Sequence, residues 1–184
     1  MSCSLEQRRS WIDCPHQRLS VAQQCQLLGL ARASADITYI RLRGWFVYLM
    51  AILDWFSRYV LAWELSISLE VGFCLAALER ALKDQRPDIF NTDQGVQFTS
   101  QQFQAPLLTA QVRLSMDGRG RVFDNIFVER LWRSVKYEEV YPNDYEDVQA
   151  AHQGLSRYFP FYNGQRFHQA LEYRTPQAVH WERK

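Results

Sequence analysis

The spacing of apolar and polar positions changes three times along this chain. Residues 1 to 34 are mostly polar, and only Val21, Cys25, Leu28 and Leu30 make a short apolar pattern. That pattern predicts one helix, capped by Ser20 and ended by Gly29, too short to be a domain. From Ile37 the pattern becomes β-like. Ile37 to Leu42 alternates, with Thr and Tyr at strand-favouring positions. Arg43-Gly44 reads as a tight turn, and Trp45 to Leu53 is an almost unbroken apolar run that suits a buried central strand. Asp54 to Arg58 interrupts it before a third strand, Tyr59 to Leu65. Short turns between these strands predict an antiparallel meander.

Helical spacing follows. Val71, Cys74, Leu75, Leu78 and Leu82 mark a helix over residues 70 to 84, which Pro87 ends. Asp88 to Thr92 is a short strand, and Ser100 caps a helix over 101 to 110 despite an internal Pro106. Val112 to Met116 is a fifth strand. Gly118-Arg119-Gly120-Arg121 reads as a mobile loop. A long helix starts near Asp124 or Asn125 and runs to about Tyr137; another spans 146 to 162, and the tail from Asn163 reads as irregular. This order predicts an α/β fold, a five-stranded mixed sheet flanked by helices. Three regions result: an N-terminal helical segment or linker (1 to 34), a core (35 to 165) and a C-terminal tail (166 to 184).

Composition narrows the class. Apolar residues are 47% and charged residues 22%, enough apolar content for a real core. No apolar run reaches the ~18 residues of a membrane span, and the N-terminus is polar, so the expected compartment is the cytoplasm with no membrane partner. Cys3, Cys14, Cys25 and Cys74 form no Cys-x-x-Cys pair, so a zinc site is not expected. The net charge of +1 argues for no partner, but its distribution is uneven. Between Arg113 and Lys136 six basic residues (Arg113, Arg119, Arg121, Arg130, Arg133, Lys136) face three acidic ones. Such a local face suits phosphates, or is simply a solvated charged surface.

Three acids stand out. Asp36 opens the first strand, Asp93 follows the fourth, and Glu129 lies in the long helix. Two strand ends and a helix can bring three carboxylates to one point, where cations must offset their repulsion. Hard oxygen ligands select Mg²⁺ or Mn²⁺, and two such ions ~4 Å apart serve phosphodiester chemistry. From spacing alone, ordinary caps and surface acids remain the simpler account.

The motifs change that balance. Asp36-Ile37-Thr38-Tyr39-Ile40, Leu53-Asp54-Trp55-Phe56-Ser57-Arg58, Asn91 to Thr99, Asp124-Asn125 through Glu129, and the ending Tyr162-Asn163, His168 to Leu171 and Tyr173 to Pro176 resemble the integrase-core (DDE) transposases of two-frame bacterial insertion sequences. Thirty-five residues separate Asp93 from Glu129, the spacing of that family. The resemblance covers about residues 36 to 180. It implies a ribonuclease-H-like fold and a metal-binding triad of Asp36, Asp93 and Glu129, with two Mg²⁺ or Mn²⁺ ions. It implies a DNA-facing role for Lys136, seven positions after the glutamate. Arg133 shares that helix face, at i+4 from Glu129. Arg119, Arg121, Asn125 and His168 complete the candidate DNA contacts; Asn125 also suits a cap, and His168 a structural hydrogen bond. Asp54, Ser57 and Arg58 read as turn chemistry instead. Gly95 reads as permitting a turn, with Gln97 shaping the loop around Asp93.

The resemblance implies DNA strand transfer at element ends and target DNA by a homo-oligomer. No Gly-x-x-x-x-Gly-Lys loop suggests a nucleotide cofactor. Three departures stand beside it. Gln26-Leu27-Leu28-Gly29-Leu30 is followed almost at once by Asp36, where the family places a long DNA-binding region, as if by internal deletion. Ala31 to Ala35 is a small, polar lead-in that predicts loose anchoring of Asp36, and Phe167 stands where the family has Pro. A non-catalytic fragment that binds or inhibits a full-length transposase is the alternative.

Overall fold

The computed structural model describes residues 4–13, 16, 18–19, 21–84, 86–116 and 126–182. Strands β1 (Arg32–Leu42), β2 (Trp45–Asp54), β3 (Val60–Ser66), β4 (Ile89–Thr92) and β5 (Arg113–Met116) form one sheet in the order β3-β2-β1-β4-β5. The meander is antiparallel, while β1, β4 and β5 run parallel. The sheet is therefore mixed. Leu42 pairs with Trp45, so Arg43-Gly44 is a two-residue hairpin turn, and Gly44 supplies its left-handed φ of 84°. At the next turn Oδ2 of Asp54 accepts from the Ser57 N–H (2.8 Å) and the Ser57 hydroxyl (2.6 Å), the expected turn chemistry.

The first strand begins five residues earlier than the apolar pattern predicts, so Asp36 does not open it. The loose lead-in does not exist either. Ala33 and Ala35 are buried in the core, and Arg32 to Ser34 pair with β4 on one edge while Ala33 onward pairs with β2 on the other. Side-chain propensity loses here to a backbone satisfied on both edges.

Alternation then divides the sheet. Leu49, Ala51 and Leu53 point to one face, beneath α6 (Ile126–Val135) and α8 (Val148–Gly164). Ala33, Ala35, Met50 and Ile52 point to the other, beneath α3 (Val71–Asp84) and α5 (Gln101–Thr109). Helices thus cover both faces. A turn of helix not expected from the pattern, α4 (Val96–Thr99), precedes α5. Pro106 deprives α5 of the bond to the Gln102 carbonyl, but Gln102 is exposed to water and the helix continues.

The N-terminal α1 (Leu5–Ser10) and α2 (Val21–Leu27) are tied to the sheet. Ile12, Cys25 and Leu30 pack with Ile89, and Arg9 pairs with Asp88 at 3.3 Å. Gly29 follows α2 with φ 63°, as expected. Ser20, Cys3 and Cys14 lie outside the described residues.

Helix α6 outruns the predicted end near Tyr137. It passes through a π-helical turn, Lys136–Val140, into α7 (Tyr141–Asn143). Val135 and Val140 are five residues apart, and both are buried. A wider turn points both inward, which α-helical spacing would not. The tail is ordered as well. Asn163 bonds both backbone groups of Val60 (2.9 and 3.0 Å), completing the start of edge strand β3. Helix α9 (Pro176–Glu182) packs on α8, and its His180 meets the Ser57 hydroxyl at 3.0 Å and stacks on Tyr59. Among the described residues, no helix is long and apolar enough to cross a membrane.

Candidate active site

The β1–β4 pairing ends at Ser34 and Asn91; Asp36 lies two residues further along β1, and Asp93 one residue beyond the end of β4, near enough for its charge to act on Asp36. Helix α6 crosses the same face, and its Trp132 Nε1 donates to Oδ2 of Asp36 at 2.8 Å. Glu129 stands three residues before Trp132, in the first turn of α6, and is exposed.

Asp36 senses the other two carboxylates. Asp36 is pushed up to about 6, first by burial, with the charges of Asp93 and Glu129 adding to the rise. Hydrogen bonds from Trp132 and from the Ile37 N–H oppose it. Like charges held this near a buried carboxylate are what a divalent cation neutralises, and carboxylate oxygens are its preferred donors. The donor set therefore fits a hard cation. The carboxylates nevertheless stand apart: among the described residues, no group of three or more His, Cys, Asp or Glu side chains is gathered closely enough to hold an ion.

The loop after β4 shapes Asp93. Its Oδ1 accepts from the Gly95 N–H at 2.9 Å. Gly95 has φ −57°, so left-handed freedom is not why glycine stands there. Space is the reason, because a Cβ would lie 2.9 Å from Oδ1 of Asp93. Gln97 donates to the Leu69 carbonyl (2.8 Å), fastening this loop to the segment before α3.

The basic candidates divide. Arg133 is exposed, and Lys136 is half-buried at the start of the π-helical turn, on the Glu129 side of the helix. His168 packs edge-on against Tyr162, with Nε2 3.3 Å from Arg166. Burial, then the Arg166 charge, push it down to about 4, so it is neutral at pH 7 and lacks the charge of a phosphate clamp. Arg119, Arg121 and Asn125 lie outside the described residues. Asp54 is engaged in its turn and with His180: burial raises its carboxyl, but the bonds from His180 and Ser57 outweigh this and hold it below the usual range.

One contributor to the site, and one contact on the helix that bears Glu129, were missed in the sequence. Trp132 carries no charge, so a search for acids passes over it, although its spacing from Glu129 puts it one turn away on α6. Arg58, beyond its turn role, lays its guanidinium 3.1 Å from the Phe127 ring centre. Burial pushes it down to about 10, with nearby Arg130 acting the same way.

Comparisons with known proteins bear on this arrangement. Two models described as integrase core domain match residues 30–121 and 110–176. The transposase for insertion sequence element IS904 of Lactococcus lactis subsp. lactis is 30% identical over 145 residues, covering 77% of this chain and 57% of its own. Transposase InsF for insertion sequence IS3A of Escherichia coli is 36% identical over 108 residues, covering 57% of this chain and 38% of its own. The chain thus spans little more than half, or less, of these curated relatives. Among solved structures, the HTLV-2 integrase catalytic core domain in complex with magnesium superposes with a TM-score of 0.65 at 19% identity, covering 81% of this chain and 94% of that one. The fold is ribonuclease-H-like, as the motifs led us to expect.

Proposed function

This chain belongs to the integrase core domain family, and from that premise we propose that it carries out DNA transposition chemistry, cleaving and joining phosphodiesters with Asp36, Asp93 and Glu129. The observation that carries this reading is the buried Asp36 carboxylate, bonded to Trp132 of the helix that bears Glu129, with the charges of Asp93 and Glu129 adding to a rise that burial dominates. A carboxylate within β1, one just beyond its parallel neighbour β4 and one on the helix crossing that face would form a cation-binding set once drawn together by an ion.

Asp36, Asp93 and Glu129 are the residues that would hold Mg²⁺ or Mn²⁺. Bound there, two such ions supply charge neutralisation for an attacking oxygen, from water or a DNA 3′-OH, and for the leaving oxygen. The chain's own groups do the rest. Trp132 and the Ile37 N–H hold the Asp36 carboxylate in place. The Gly95 N–H orients Asp93. Lys136 and Arg133, on the Glu129 side of the helix, offer positive charge where a phosphate backbone runs. DNA is thus the proposed substrate. A homo-oligomer bridging two DNA ends is the proposed working form; the HTLV-2 core is described in a dimeric form.

The test is Mn²⁺-dependent joining of oligonucleotides with pre-cut 3′-OH ends. The unaltered chain is expected to join them, and Asp93→Asn and Glu129→Gln to lose at least about 10²-fold of that rate, the scale of losing an electrostatic contributor to such chemistry. Joining that persists in both variants would sink the assignment.

A further inference from the structure

A cleft of about 480 Å³ opens where the β1–β2 hairpin faces the π-helical turn. Tyr39, Arg41, Trp45 and Phe46 line one side, and Lys136 and Tyr141 the other. Its volume falls within the ~300–1,000 Å³ of small-ligand pockets. Tyr39, Trp45, Phe46 and Tyr141 are 57%, 46%, 48% and 53% exposed, a large apolar area left in water. Two of these rings are held in place. Tyr39, Phe46 and Tyr48 brace one another with centroids 5.2 to 5.6 Å apart.

The charge in the cleft selects its occupant. Arg41 and Lys136 are both cations. The acid beside the cleft, Asp144, lines an adjoining hollow, and Arg43 pairs with its carboxylate at 3.1 Å. Flat apolar rings beside unspent positive charge match a ligand with a π face and a phosphate. A duplex hides its base faces in the stack, so only an unpaired nucleotide offers both. Lys136 lies seven residues from Glu129, roughly 10 Å along the helix axis, within a few nucleotides of the carboxylates.

We infer that this cleft holds an unpaired nucleotide of the DNA strand handled at Asp36, Asp93 and Glu129, its base stacked on the aromatic rings and its phosphate on Lys136 and Arg41. The inference rests on the strand-transfer reading. It adds that the strand end is frayed as it is handled.

The test compares binding of a labelled blunt duplex with the same duplex bearing a short single-stranded extension, in EDTA, by fluorescence anisotropy. The full chain is expected to prefer the extended DNA. Tyr39→Ala and Trp45→Ala, at exposed positions the core does not need, should weaken binding to the extension roughly tenfold and to the blunt duplex hardly at all. Arg41→Gln should weaken the extension's binding and flatten its salt dependence. An unaltered chain without the preference, or aromatic variants that keep it, overturns the inference. So does a changed sedimentation coefficient in those variants with DNA preference intact, which would make the cleft a subunit contact. Joining assays run in parallel separate the two readings. Joining with a cleft indifferent to unpaired DNA sinks only this inference; cleft-dependent preference without joining sinks only the strand-transfer assignment.

Discussion

Trp132 reaches from α6 to Asp36 in the middle of β1, its indole N–H 2.8 Å from Oδ2. The bond does two things. It locks the helix that carries Glu129 against the sheet that carries the aspartates, and it partly offsets what burial costs an ionised Asp36. Trp132→Phe keeps the ring and removes the donor. A hydrogen bond to a charged group contributes about 1.5–3 kcal/mol, so urea unfolding at neutral pH should report a loss of that order. Joining activity should fall too, and require more Mn²⁺. Unchanged stability at pH 7 would mean that the bond does not form in solution.

Asp36 also predicts a pH dependence. Its carboxyl titrates near 6 in the fold against 3.8 ordinarily. A raised carboxyl stabilises the fold fully below its ordinary value, and that contribution is lost as pH rises through about 6. The metal-free protein should therefore lose on the order of 3 kcal/mol from this group between about pH 4 and pH 7. Asp36→Asn should flatten that segment of the profile. Mg²⁺ should restore stability at pH 7, because it binds the ionised form in the fold. Thermal melts across this range, with and without Mg²⁺, measure both effects; an Asp36→Asn profile parallel to the original would contradict the assignment.

Gly95→Ala separates site geometry from fold. The new Cβ meets Oδ1 of Asp93 at 2.9 Å, and the obstructing atom is the tip of a rotatable side chain. The carboxylate can swing away cheaply, and φ −57° suits alanine. Stability should change by less than about 1 kcal/mol. Joining should fall by about tenfold or more, since small misplacements are costly to positioned chemistry. Calorimetry and the joining rate, measured on the same preparation, check both halves.

Gly154→Ala should do the reverse. Here a Cβ would sit 1.8 Å from the Tyr145 hydroxyl, in the core between α8 and the end of the π-helical turn. Tyr145 is buried and donates to Glu139 at 2.5 Å, so it cannot swing to solvent without breaking that bond. Overpacking of this kind costs typically ~1–3 kcal/mol. Denaturant unfolding should show it, and the variant's residual joining at low temperature should stay near that of the parent.

Much of this was legible along the chain. The β-meander, the order of strands and helices, and the choice of the three acids follow from period, turn residues and motif spacing, although Asp36 lies within its strand and not at its start. Those are local signals, set by the pleat of a strand and the pitch of a helix. The tertiary structure decided what depends on neighbours. Ala33 to Ala35 became central strand because β2 and β4 satisfy its backbone on both edges. Gly95 is required by a carboxylate two residues away rather than by its own φ. Helix α6 ran on through a π-helical turn because the core wanted both Val135 and Val140. The Trp132 bond to Asp36 crosses 96 residues of sequence, and the aromatic cleft joins a hairpin to a helix nearly as far away. No periodicity records such meetings, because they are fixed by how the helices lie on the sheet.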